Sequence, residues 1–207
     1  MKIMKTIIEK IDKNQKNTDI IREAGRILKE GGLVAFPTET VYGLGADALN
    51  EDAAKKIYAA KGRPSDNPLI IHITNMKALD KIVSEVPEKA VKVAEKYWPG
   101  PLTMIFQKTE EVPYETTGGL DTVAVRMPSD EIARALIDAG GGYIAAPSAN
   151  TSGRPSPTKA EHVEEDLSGK IEMILDGGAV DIGVESTILD MTVTPPMILR
   201  PGAITKE

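Results

Sequence analysis

The fold is decided by the stretch LVAFPTETVYGLG, residues 33–45, where four apolar residues run into a segment rich in proline, glycine and hydroxyl groups. Residues 33–36 are typical of a buried strand, and residues 37–45 are typical of a turn at its end. The preceding helix is predicted to stop at the glycine pair 31–32. Its apolar residues share one face: Ile20, Ile21, Ala24, Ile27 and Leu28.

The same alternation continues downstream. Asn50 is predicted to cap a helix over residues 51–60, and Ser129 to cap one over residues 131–139. Other helices are predicted over residues 76–85 and 87–97, and strands over residues 69–73, 102–107, 122–127, 143–146, 172–175, 186–191 and 197–199. This order indicates an α/β fold with a twisted, mixed open sheet and flanking helices. We expect a single domain, residues 1–207, with its core over about residues 18–203.

The composition excludes several classes of protein. The chain has no cysteine, which excludes disulfides, thiolate zinc sites and cysteine nucleophiles. Its formal net charge of −6 and its 4% aromatic content do not favour nonspecific binding along nucleic acid. No segment is typical of a secretion signal or a membrane span. We therefore expect a cytoplasmic protein that does not enter membranes.

The segment KGRPSDNPL, residues 61–69, has the chemistry of an anion cradle. Lys61 supplies a movable point charge and Arg63 a planar fork, and the prolines stiffen the turn that carries them. Such a pair suits a polyphosphate, although a basic surface turn explains the segment as well. Arg200, followed by Pro-Gly, is a second arginine on a stiffened turn.

Two residues interrupt apolar strands. Arg126 lies within the apolar run 123–127 and requires an anionic partner, which is either an internal carboxylate or a carboxylate of a ligand. His72 points to the same face as Ile70, and a satisfied core histidine is its default interpretation. With only two histidines in the chain, a multi-histidine metal site is excluded.

Two loops carry hydroxyl groups. Residues 37–45 form either a purely structural turn or a site in which Thr38 and Thr40 bind a small polar ligand beside Tyr42. Residues 147–157, PSANTSGRPSP, could present successive N–H groups to a phosphate or form a mobile surface loop. Because ligands of open α/β sheets bind at strand ends, these turns are expected to share one cleft.

Seven ordered stretches resemble the YrdC-like family, whose members make threonylcarbamoyl-adenylate for tRNA modification. They are FPTETVYGLG, KGRPSDNPL, WPGPLT, VAVRMP, APSANTSGRPSPT, ESTI and RPG, and they extend from about residue 33 to residue 202. The resemblance implies a large open central cavity. It also implies a reaction that joins L-threonine, bicarbonate and ATP and releases pyrophosphate.

The resemblance implies roles for individual residues. Lys61, Arg63, Ser148 and Asn150 would hold and neutralise the triphosphate, as the catalytic set. Further ATP contacts would be Asn67, Thr122, Ser156 and Arg200. Threonine would lie near Thr38, Thr40, His72, Arg126, Ala146 and Ser186. Mg²⁺ is expected on the phosphates, with no metal site formed by the protein.

Two relatives of this family differ from the chain. A larger synthase carries an additional C-terminal domain, so the resemblance here is to a short, single-domain form. Carbamoyltransferases with a similar domain carry zinc-binding cysteines, which this chain lacks.

Other functions stay open. One is a paralogue of the same fold with a different acyl acceptor. Another is an RNA-binding module that uses a basic strip: Lys61, Arg63, Arg154, Lys159 and Arg200. Weak RNA binding by the enzyme itself is also an expectation, as is transfer of the product to a tRNA threonylcarbamoyltransferase.

Overall fold

The computed structural model describes residues 4–12 and 17–205. The ends of the predicted domain, residues 1–3 and 206–207, lie outside this description. Within the described residues, ten strands form one sheet in the order β1-β8-β2-β3-β7-β4-β6-β5-β9-β10. The strands are β1 (Ile7–Lys10), β2 (Val34–Phe36), β3 (Gly43–Asp47), β4 (Ile70–His72), β5 (Leu102–Gln107), β6 (Thr122–Arg126), β7 (Ile144–Ala145), β8 (Met173–Asp176), β9 (Thr187–Asp190) and β10 (Met197–Arg200).

The sheet is mixed, which confirms the predicted α/β architecture. Neighbours β4 and β6 are parallel, as are β5 and β9, whereas β6 pairs with β5 and β9 with β10 in antiparallel register. The helices are α1 (Thr18–Lys29), α2 (Glu51–Lys61), α3 (Leu79–Ile82), α4 (Glu88–Tyr97), α5 (Tyr114–Thr117), α6 (Glu131–Ala139) and α7 (Ala160–Leu167). No helix in these described ranges is both long and apolar enough to cross a bilayer.

Of the two predicted N-terminal caps, the cap of α2 is confirmed and the cap of α6 is wrong. The Asn50 side chain accepts hydrogen bonds from the backbone N–H groups of Asp52 and Ala53, at 3.0 and 3.2 Å, as predicted for a cap of α2. The predicted Ser129 cap is wrong, because the carboxylate of Asp130 accepts from Ala133 N–H instead. A carboxylate suits this position, since it also faces the positive end of the helix dipole.

Two predicted elements differ from the structure. The helix predicted over residues 76–85 is a 3-10 turn at Met76–Ala78 followed by the short α3. The turn predicted up to residue 45 ends earlier, because β3 begins at Gly43 and pairs with β2 and β7. A β-carbon at Gly45 would come within 2.9 Å of the Phe36 ring. Gly45 is therefore a strand residue that lacks a side chain because Phe36 packs against it. In the sequence, the same glycine was interpreted as part of a turn.

Helices cover the two faces of the sheet unequally. Helices α2, α4 and α7 pack against one face and contribute to the larger core, with Ile57, Ala94 and Val163 among its buried residues. Helices α1 and α6 pack together on the other face, over β2, β7 and β8. On that second face, the strands from β4 to β10 form the floor of a pocket.

Candidate functional site

The pocket floor is built from side chains in register across five strands. In what we call the first row, residues lie side by side on β4, β6, β5, β9 and β10: His72, Arg126, Thr103, Ile188 and Arg200. The second row lies two residues further along β4, β6, β5 and β9: Ile70, Ala124, Ile105 and Asp190. On β10 the register shifts between Ile198 and Arg200, so Met197, which pairs with Asp190, is three residues from Arg200. Of this second row, Ile70, Ala124 and Ile105 line the pocket. Since side chains alternate between faces, both rows belong to the same face. The first row is mainly polar and the second begins with three apolar residues.

Most of the predicted site residues meet in this pocket. Those that line it are Thr38, Thr40, Arg63, Asn67, His72, Arg126, Ala146, Ser148, Ser186 and Arg200. Those that do not line it are Lys61, Thr122, Asn150 and Ser156. The pocket has a volume of about 220 Å³. The large cavity implied by the resemblance stays a prediction, because sites that bury a whole ligand usually hold about 300–1,000 Å³.

Arg126 has an internal carboxylate partner. Its Nη2 lies 2.6 Å from Oε1 of Glu39, and the two side chains are only 5% and 8% exposed. Nη1 donates to the Thr40 hydroxyl at 3.0 Å, and the other oxygen of Glu39 accepts from Ser129 N–H at 3.3 Å. Of the two partners that the sequence left open, the internal one is therefore present. A guanidinium has five N–H donors, so a ligand carboxylate at this point would share it with Glu39.

Glu39 was missed by the sequence interpretation. It stands between Thr38 and Thr40, and no local spacing connects it to a residue 87 positions away. Two facts together could have identified it. Arg126 within an apolar strand requires a carboxylate partner. Glu39 is a carboxylate in a turn that was predicted to enter the same cleft.

The hydroxyl groups of the pocket form two pairs. Thr38 Oγ1 lies 2.9 Å from Thr40 Oγ1, next to Arg126, and Thr103 Oγ1 lies 2.7 Å from Ser186 Oγ. Thr38, Thr40 and Ser186 line the pocket and offer donors and acceptors to a small polar ligand. Thr103 is fully buried and holds the Ser186 hydroxyl in place from beneath. Tyr42, which was expected to wall the ligand, is fully buried, and its hydroxyl bonds the backbone at residues 177 and 178 instead.

Lys61 lies beneath the pocket wall rather than inside the pocket. The residue is 1% exposed, and its ammonium donates to the backbone carbonyl of Ser148 and to that of Asn150, the latter at 2.5 Å. Burial, and to a smaller degree the charge of Arg63, lowers the pKa of Lys61 to about 8. Lys61 thus holds the loop that carries Ser148 and Asn150. Its predicted direct contact with phosphate stays a prediction.

Arg63 and Arg200 are pocket cations without a direct ion pair among the described residues, although the charge of Glu185 acts on Arg200 from further away. Arg63 donates to the backbone carbonyls of Asn67 and Pro68, and Arg200 donates to Ser186. Within the described part of the chain, neither guanidinium forms an ion pair with a carboxylate. The pKa of Arg63 is lowered by burial and then by the charge of Arg200. Two half-buried cations that repel each other favour an anion between them.

His72 is neutral at physiological pH. Burial, followed by the charge of Arg126, lowers the pKa of His72 to about 3. Its Nδ1 lies 3.1 Å from the carbonyl oxygen of Ile70, and the ring meets Phe36 edge to face. The side chain is only 4% exposed yet borders the pocket. It is therefore a core histidine and a pocket residue at once.

Glu185 is a second residue that the sequence interpretation gave no role. It contributes the only acidic side chain among the described residues that line the pocket. Its carboxylate accepts from the Ser156 hydroxyl at 2.5 Å, and this hydrogen bond lowers the pKa of Glu185. Ser156, which does not line the pocket itself, thus acts on it through Glu185.

The basic strip expected for RNA binding does not form a continuous solvent-facing surface. Lys61 is buried, and Arg63 and Arg200 face the pocket. Arg154 forms ion pairs with Asp166 and Glu165. Lys159 is the one cation of the strip that is exposed and without an ion pair among the described residues. One such cation is not the row of free cations that phosphate contacts along a strand require.

Comparison with known proteins agrees with this geometry. A family model for Sua5, YciO and YrdC, described as "Telomere recombination", matches residues 26–202. A protein of Pyrococcus abyssi named threonylcarbamoyl-AMP synthase is 60% identical over 187 residues, which are 90% of this chain and 55% of that protein. A Bacillus subtilis protein of the same name is 53% identical over 208 residues, 100% of this chain and 60% of its own length.

A solved structure is also similar. The crystal structure of P. abyssi Sua5 complexed with L-threonine superposes with a TM-score of 0.93 at 58% identity, and covers 95% of this chain and 58% of that one. The chain therefore spans less than two thirds of the length of these relatives.

Proposed function

Because the chain belongs to the Sua5/YciO/YrdC family, we propose that its pocket makes L-threonylcarbamoyladenylate from L-threonine, bicarbonate and ATP, with release of pyrophosphate. The observation that carries the proposal is the pair Arg63 and Arg200, two half-buried cations without a carboxylate partner in the described residues, at the mouth of a pocket with the polar groups of an amino-acid site. A triphosphate would supply the missing negative charge.

The proposed reaction needs no protein nucleophile. The amine of threonine adds to bicarbonate, water leaves, and a carbamate forms. A carbamate oxygen then attacks the α-phosphorus of ATP, the bond to the β-phosphate breaks, and pyrophosphate departs. The protein's contribution is to position both substrates and to stabilise the charge that develops on the phosphates. This agrees with a chain that has no cysteine and with a pocket whose only histidine is neutral.

The two ends of the first row suit the two substrates. At the inner end, Thr38, Thr40 and Arg126 offer hydroxyls and N–H donors to the amino acid. At the outer end, Arg200 with Arg63 suits the phosphates, and Lys61 supports them by holding the loop of Ser148 and Asn150. The reacting atoms would then meet between the two ends.

Mg²⁺ is proposed to arrive with the nucleotide. The described residues contain no group of three or more acidic or histidine side chains that could hold a metal. Mg²⁺ commonly binds substrate phosphates plus one or two carboxylates, and Glu185 is the carboxylate available in this pocket. When bound, the ion would neutralise charge on the leaving pyrophosphate. The product is proposed to pass to a tRNA threonylcarbamoyltransferase in the cytoplasm.

The test is pyrophosphate release with ATP, threonine and bicarbonate present, and then with threonine or bicarbonate omitted, with the adenylate identified by mass spectrometry. Release should require both. Arg63→Gln and Arg200→Gln should each reduce the rate about 100-fold, whereas the exposed Arg22→Gln should not. Release that continues without threonine but still needs another amine would favour the paralogue, and no nucleotide-dependent release would refute the proposal.

A further inference from the structure

The loop that carries Ser148 and Asn150 is held from two sides. On one side is Lys61, at the end of α2, whose ammonium donates to the backbone carbonyls of Ser148 and Asn150. On the other side is Asp166, in the last turn of α7, which has no part in the chemistry proposed above. The Asp166 side chain is only 5% exposed, and it does not line the pocket. Its contacts are therefore with the loop and not with a ligand.

The position of Asp166 is unfavourable for a carboxylate on local grounds. Its negative charge lies at the C-terminal end of α7, where the helix dipole is itself negative. The last turn of α7 contains no basic residue that would offset this charge. Burial also removes water from the carboxylate. A residue that breaks a local rule in this way is expected where tertiary contacts or function require it.

Both carboxylate oxygens of Asp166 hold the loop. Oδ2 accepts from the backbone N–H of Thr151 at 2.9 Å, and Oδ1 accepts from Nη1 of Arg154. The backbone carbonyl of Asp166 accepts from the Thr151 hydroxyl at 3.3 Å. Within the loop, the Asn150 amide donates to the carbonyls of Thr151 and Arg154, both at 2.9 Å. Asp166 therefore fixes the segment that directly follows Ser148 and Asn150.

The charge of Asp166 also reaches Lys61. Burial lowers the pKa of Lys61 to about 8, Arg63 adds to this effect, and Asp166 opposes it. Among the described residues, Arg63 and Asp166 are the charged groups that act on this ammonium. An ammonium that loses its proton loses one donor, and it loses the charge that strengthens its hydrogen bonds to the loop carbonyls. Asp166 thus favours the form of Lys61 that holds the loop best.

We infer that Asp166 is a positioning residue for the proposed reaction: it holds the loop at Thr151 and Arg154, and it keeps Lys61 in its charged form on the other side. This rests on the proposed function, because the loop affects turnover through the substrate that Ser148 borders. Since Ser148 lines the pocket and Asp166 does not, the effect passes through the loop and through Lys61.

The experiment measures pyrophosphate release between about pH 6.5 and 9, with the rate of each variant divided by the wild-type rate at the same pH. This ratio cancels the effect of pH on the substrates. Asp166→Asn keeps the shape and an acceptor for Thr151 N–H but removes the charge. Because an opposite charge at close range commonly changes a proton affinity about tenfold or more, the relative rate of Asp166→Asn should fall about tenfold from the acidic to the alkaline end.

Glu165→Gln is the matched control. Glu165 is the preceding residue of α7 and lies 3.9 Å from the same Arg154, but its side chain is 67% exposed and it is not among the charges that act on Lys61. Its relative rate should not change with pH. Arg154→Gln is the second variant. It leaves the charge of Asp166 undivided, so Lys61 should keep its proton to higher pH, and the relative rate should rise about twofold toward the alkaline end.

The outcomes separate the two proposals. Absence of threonine-dependent release from the wild type refutes the proposed function. With an active wild type, the inference is overturned if the relative rate of Asp166→Asn is the same at every pH, which is the result of a purely structural role, or if Glu165→Gln shows the same pH dependence. Should Asp166→Asn lack a cooperative melting transition, a relative rate of Arg154→Gln that stays flat or falls with pH overturns the inference instead.

Discussion

Replacing Glu39 by glutamine tests the buried ion pair on which the polar end of the pocket depends. Glutamine has nearly the same shape and can still accept a hydrogen bond from Arg126, but it removes the negative charge. The Arg126 side chain is 5% exposed and its Nη2 lies 2.6 Å from Glu39, so its charge would stay in the interior without compensation. Breaking a buried pair by removing one partner costs about 3–5 kcal/mol. We expect about 3 kcal/mol, because the hydrogen bond survives.

The assay is urea unfolding at neutral pH of the wild type, Glu39→Gln, Arg126→Met and the double variant. If the penalty comes from the unpaired guanidinium, Arg126→Met should recover much of the stability that Glu39→Gln loses, and the cycle should give a coupling energy above about 1 kcal/mol. The control is Asp19→Asn, which breaks an ion pair with Arg22 in which the side chains are 94% and 73% exposed. That change should cost less than about 1 kcal/mol.

The reasoning is refuted if Glu39→Gln is as stable as Asp19→Asn. It is also refuted if the losses of unfolding free energy in Glu39→Gln and Arg126→Met simply add up to the loss in the double variant. Under the proposed function, the variant should also respond to threonine. Without Glu39, the full charge of Arg126 faces the pocket, so a bound carboxylate should stabilise Glu39→Gln more than it stabilises the wild type.

Three further predictions concern the elements around the pocket. The pKa of Lys61 is lowered to about 8 from 10.5, so the unfolded chain binds the ammonium proton of Lys61 more tightly than the folded protein does. The unfolding free energy of the wild type should therefore rise between about pH 8 and 10 relative to that of Lys61→Met. Unfolding free energies that run parallel with pH in the two proteins would contradict this. Asn50→Ala removes the side chain that accepts two N–H bonds at the start of α2 and should lower the unfolding free energy by about 1 kcal/mol; an unchanged urea midpoint would show that the cap is dispensable. Gly202→Ala places a β-carbon 2.3 Å from the backbone carbonyl oxygen of Glu185, so it should lower the unfolding free energy by about 1–3 kcal/mol and weaken ATP binding by displacing Ser186. A variant with the melting temperature and ATP affinity of the wild type would rule this out.

The local features of the fold were predictable from the sequence because short-range chemistry decides them. The apolar run at residues 33–36 is a buried strand, and Asn50 caps the helix that follows, where an amide suits free N–H groups. The break in the helix predicted over residues 76–85 and the strand β3 were missed. In both places, contacts with distant residues override the local pattern, as the packing of Gly45 under Phe36 illustrates.

The α/β alternation, the turns at the strand ends and the residue types that gather there all follow from local patterns in the chain. Which charges face the pocket depends on how the elements pack together. Lys61 and Arg63 are two positions apart, yet one is buried on the carbonyls of the 148–150 loop and the other faces the pocket opposite Arg200. A buried charge is compensated by a residue that is close in space but can be far away in the chain, as Glu39 and Arg126 show. Such a pair cannot be inferred from the pattern of neighbouring residues.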